Sequence, residues 1–182
     1  MLKFSGYLNV ISQLAQCRRW ISSGLLGALL LSPVAMALEA PQGPIVLRVT
    51  GNIEHTNAGN EAHFDREMLK TLEQRETLTA TPWHDGKVRF SGPLGSALLE
   101  AVGAESGTMR VVALNDYAAS VPVQDFFDYP VILAMQIDGK RLRVRDNGPI
   151  FIIYPFSEQP DLLNEEIMTR SVWQVKRIEI DD

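Results

Sequence analysis

The first 37 residues contain no aspartate and no glutamate, and their only charges are Lys3, Arg18 and Arg19. An apolar run from Ile21 to Leu31 follows the arginine pair. The helix-breaking pair Ser32-Pro33 and the small-residue site Ala35-Met36-Ala37 come next. A positive segment, a short apolar segment and an A-x-A site, in that order, make the pattern of a cleavable export signal. The apolar run falls well short of the roughly 20 residues that cross a bilayer. The sequence therefore predicts a signal peptide over 1–37, cleaved after Ala37, and one domain over 38–182. That domain would work in the periplasm of a Gram-negative bacterium and would not be an integral membrane protein once cleaved. The competing reading is an uncleaved anchor. Arg18-Arg19-Trp20-Ile21 also resembles a twin-arginine signal, a route that carries folded proteins, so both export routes stay open.

Removing 37 residues from 182 leaves 145, the size of one ordinary domain. Cys17 is the only cysteine, and it precedes the apolar run, so it is no lipoprotein cysteine. The exported part would then hold no disulfide, no thiolate ligand and no cysteine nucleophile. Taking the three leader cations from 17 Lys and Arg leaves 14 against 22 Asp and Glu, a net charge of −8. A domain of that sign repels phosphate backbones, which argues against nucleic acid as a partner.

Periodicity gives the outline of the fold. Strand patterns occur at Ile45–Thr50, Glu76–Thr81, Val88–Phe90, Met109–Leu114, Tyr117–Pro122, Val131–Ile137, Lys140–Val144, Pro149–Tyr154 and Val172–Ile180. Asn115-Asp116 and Asp138-Gly139 read as hairpin turns. Phe64, Met68, Leu69 and Leu72 have helical spacing, with Asp65 and Glu67 near the start. A second helix is predicted over Leu94–Val102, with Pro93 in its first turn and Gly103 at its C-terminal cap. Val123–Asp128 reads as a short helix or turn, and Ser157–Met168 as a loop with a helical turn. The expected fold class is α+β, a mixed but mostly antiparallel sheet domain with two or three short helices.

Catalytic signatures are scarce. The chain has no G-x-S-x-G, H-E-x-x-H, P-loop or C-x-x-C. His55, His63 and His84 have no metal-ligand spacing, and Ser120 has no identifiable base. Two loops stand out. Pro82-Trp83-His84-Asp85-Gly86 joins an aromatic, an imidazole and a carboxylate beside a glycine, and loops of this composition often carry function. The plainer reading is a turn with Trp83 folded onto the core. Asn115-Asp116-Tyr117 is the second candidate, with a simple hairpin turn as its alternative.

From Ile45 onward the order of segments resembles the sulfite-oxidase-type molybdopterin-binding domain. Five stretches carry the resemblance: Leu47–Asn52 with Phe64–Leu69, Phe90–Gly103, Asn115–Pro122 with Val131–Leu142, Gly148–Pro155, and Arg170–Glu179. The resemblance implies a sulfite-oxidase-like fold and a pocket at Trp83, His84, Asp116, Tyr117 and Arg170. Arg170 is the one residue carried over as an anion contact. The departures are equally specific. The family's metal-binding cysteine would fall near Thr79–His84, where none stands, and family domains are longer. The segment before the last strand is acidic, with Asp161, Glu165 and Glu166, where a phosphate-bearing pterin calls for bases. The leading expectation is a non-catalytic periplasmic module that binds a ligand or a protein partner, such as a membrane sensor. The alternative is a small molybdopterin-dependent oxidoreductase with a substituted metal ligand.

Overall fold

The computed structural model describes residues 38–182. The predicted signal peptide, the arginine pair and Cys17 lie outside the described residues.

Strand β1 (Ile45–Gly51) alternates, so Leu47 and Val49 point inward while Arg48 points to solvent. It pairs antiparallel with β2 (Ala62–Asp65) and parallel with β11 (Val175–Asp181). β11 in turn pairs antiparallel with β5 (Thr108–Ala113), and β5 with β6 (Ala118–Pro122). The result is a five-stranded sheet in the order β2-β1-β11-β5-β6. Among the described residues every strand ladder except β1–β11 is antiparallel. Register aligns Val49 with Ile178 and Ile178 with Val111, a buried row across the sheet. Helices α2 (Gly95–Val102) and α3 (Val123–Asp128) cover that face with Leu98, Leu99, Val102 and Phe126. Burying a leucine of this kind is worth about 1.5–3 kcal/mol, so the face is a principal source of stability.

A second layer begins with the hairpin of β3 (Gln74–Thr81) and β4 (His84–Pro93). The sheet continues through β8 (Gln136–Ile137) to β9 (Lys140–Arg141). Between the layers lies a two-stranded ribbon of β7 (Ile132–Ala134) and β10 (Phe151–Ile153). Phe90, Ile132, Ala134, Leu142, Phe151 and Ile153 form a smaller core here, separate from the main one. Trp83 packs against both cores.

The α+β class, the mostly antiparallel pairing and the short helices are as the sequence predicts, with eleven strands and four α-helices among the described residues. Boundaries differ for physical reasons. Phe64 belongs to β2, and helix α1 (Arg66–Thr71) starts only after Asp65, because the Asp65 carboxylate caps it by accepting the Met68 N–H at 2.9 Å. Pro93 ends β4 and lies outside α2, whose cap residue is Leu94. The Val131–Ile137 run splits at Met135, whose carbonyl accepts the Leu142 N–H at 2.9 Å. The return strand after Asp138-Gly139 keeps only Lys140–Arg141 before a 3-10 turn at Val144–Asp146. Among the described residues no helix is long and apolar enough to cross a membrane.

Candidate functional site

Pro82 and Trp83 are the two central residues of the tight turn between β3 and β4, flanked by the pair Thr81 and His84. Proline suits the second position of such a turn. Just beyond it, Asp85 and Gly86 form a bulge in β4, and Gly86 has φ of 70°. The turn lays the Trp83 indole back against the body. Its ring centroid is 5.4 Å from that of Phe151 and 5.8 Å from that of Trp173, both edge-on. Trp173 also meets Phe151 at 6.0 Å.

These two indoles wall one end of a groove of ≈ 550 Å³. The β5–β6 turn supplies Asn115 and Tyr117, and Ala113 comes from the end of β5. Helix α4 (Glu165–Arg170) supplies Glu165, Met168 and Thr169, and Val172 follows it. The Tyr117 hydroxyl donates to the Thr169 carbonyl at 3.3 Å, joining the two sides. That volume is within the usual range of small-molecule sites, which are mostly apolar with a few polar groups. Tyr117, at 49% exposed, and Trp173, at 39%, are large aromatics left open to solvent at its rim.

The five sequence candidates separate here. Trp83 and Tyr117 line the groove. His84 faces the smaller core, its ring 5.3 Å from Phe90 and its Nδ1 2.9 Å from Thr81 Oγ1. Burial depresses its pKa, partly offset by Asp138, so the ring is neutral at neutral pH. Asp116 is exposed and pairs with Lys176 at 2.6 Å; the ammonium holds its carboxyl below the usual range. Arg170 is turned away from the groove. Its guanidinium bonds Asp125 at 2.9 Å and also Glu166, leaving it committed to two acids. Asp125 accepts in addition from the wholly buried Tyr154 hydroxyl at 2.7 Å. Burial, then the Asp125 charge, pushes the Tyr154 pKa up.

Trp173 and Met168 escaped sequence reasoning. Val172-Trp173-Gln174 reads as the start of an alternating strand, but Gln174 has φ of 55°, and β11 begins only at Val175. That kink turns Trp173 toward Phe151 and Trp83.

Among the described residues no three His, Cys, Asp or Glu side chains are gathered to hold a metal. Among the described residues no Lys or Arg lines the groove, and Glu165 does. These residues do not fit a phosphate-bearing pterin, which needs cations for its phosphate and a soft ligand for molybdenum. The chain matches no known family model and no curated protein.

Proposed function

We infer that this chain is an exported, non-catalytic binding module whose site is the aromatic groove. The observation that carries this is the groove's lining: two tryptophans, a tyrosine and a methionine around a space of ligand size, with no nucleophile–base pair among its residues. His84, the one titratable ring near the turn, packs on Phe90 and bonds Thr81, as a structural residue would. The acid-free, A-x-A-terminated leader supports export to the periplasm. The resemblance to molybdopterin-binding domains then describes a fold kept after its redox chemistry was lost.

The test uses a neutral fluorescent probe of apolar sites, N-phenyl-1-naphthylamine. The protein is expected to bind it with energy transfer from Trp83 and Trp173. Trp173→Ala, which removes a half-exposed wall, should weaken binding several-fold while the fold stays intact by circular dichroism. Probe binding that is absent, or identical in the variant, would place the ligand site elsewhere.

A further inference from the structure

The groove's chemistry is selective as well as apolar. The Trp83 and Trp173 ring planes stand at 72° to one another with centroids 5.8 Å apart, an edge-to-face pair, and both indoles line the groove. Tyr117, tied by its hydroxyl to Thr169, adds a third ring to the same groove. Aromatic faces are negative at their centres and attract cations lying within about 6 Å of the centroid. Among the described residues the one carboxylate, ammonium or guanidinium group of the lining is the Glu165 carboxylate, for which no ion pair is found. The bases that neighbour lining residues are engaged elsewhere: Lys176 with Asp116 at 2.6 Å, and Arg170 with Asp125 and Glu166.

Resting on the ligand-binding reading above, we propose that the groove takes a trialkylammonium group, with Trp83, Trp173 and Tyr117 around the cation and Glu165 balancing its charge. A primary ammonium brings three N–H donors, and the groove has few acceptors to replace their water. Asn115 Oδ1 already accepts the Tyr117 N–H at 3.2 Å, and the Thr169 carbonyl accepts the Tyr117 hydroxyl. A trialkylammonium group whose nitrogen is bonded to four carbons, as in choline, has no N–H donor to satisfy and offers methyl groups to Met168, Val172 and the rings. Anionic ligands meet Glu165 with no base to offset it.

The experiment titrates the protein with choline and with 3,3-dimethylbutan-1-ol, in which carbon replaces the charged nitrogen, following tryptophan fluorescence and heat. Choline should bind about tenfold more tightly than the alcohol. Glu165→Gln, at an exposed position, should weaken choline several-fold and leave the alcohol unchanged; Trp173→Ala should weaken both. Equal binding of the two compounds would overturn the cation preference while leaving the groove a ligand site. Binding of neither, with the naphthylamine still bound, would overturn the trialkylammonium assignment alone. Flotation with phosphatidylcholine vesicles, competed by choline, would assign the same chemistry to a lipid headgroup; choline binding without flotation assigns it to a free solute.

Discussion

Tyr154 has no solvent exposure, and its hydroxyl donates to an Asp125 that is itself 8% exposed and bonded to Arg170. The three residues tie β10's end, α3 and α4 together, and α4 supplies one side of the groove. Removing the hydroxyl deletes one hydrogen bond to a charged acceptor, so Tyr154→Phe should cost about 1.5 kcal/mol in urea unfolding. Asp125→Ala leaves a mostly buried guanidinium with Glu166 alone and should cost about 3 kcal/mol. The order of those two losses is the check; a larger loss for Tyr154→Phe would contradict the charge network. Nothing local in the sequence announces this triad, because its members are 29 and 45 residues apart and each sits in an unremarkable context. His84 makes a pH prediction. Its folded pKa lies below the ordinary imidazole value of 6.5, so the unfolded chain takes up a proton first as pH falls. Its contribution is therefore complete above about pH 6.5 and is lost as pH drops from there through the folded pKa. His84→Asn should flatten that part of the unfolding profile; an unchanged slope would mean that the ring is not the group responsible.

Elements were legible where a local signal fixed them and obscure where tertiary contact did. Gly103 takes the left-handed conformation at the end of α2, with φ of 68°, as a glycine after an apolar helix predicts. Asp138 and Gly139 both have positive φ, the signature of the hairpin turn read from their sequence. The start of α2 shows the limit. A β-carbon at Gly95 would lie 2.3 Å from Cδ2 of Phe126, so this glycine lets α2 and α3 close on each other. Gly95 is thus required by α3, almost 30 residues on, which no helix pattern reveals. Gly95→Ala should cost about 2 kcal/mol despite alanine's better helix propensity, read from the thermal midpoint. A neutral or stabilising outcome would show that Phe126 can move aside freely. The same logic explains Trp173: an alternating run hides the Gln174 kink that removes it from β11.

At the scale of the molecule, β1 and β11 lie side by side, the one parallel pair among the described residues, so the first and last of these strands close the main sheet at its centre. The α+β class and this sheet-rich layout were readable because each strand carries its own alternation. Which loops meet was not readable. Turn composition singles out Trp83 and the hairpin singles out Tyr117, yet the groove they share arises only when the β3–β4 tip, the β5–β6 turn and α4 are brought together. Arg170, expected by resemblance to face an anion, faces Asp125 and Glu166. The binding-module proposal rests on this aromatic groove, which Glu165 borders and which no Lys or Arg lines among the described residues. If that proposal holds, protein purified from the cells that make it should contain neither molybdenum by elemental analysis nor oxidised-pterin fluorescence after denaturation. Stoichiometric amounts of both would contradict the account and make His84 the first residue to mutate.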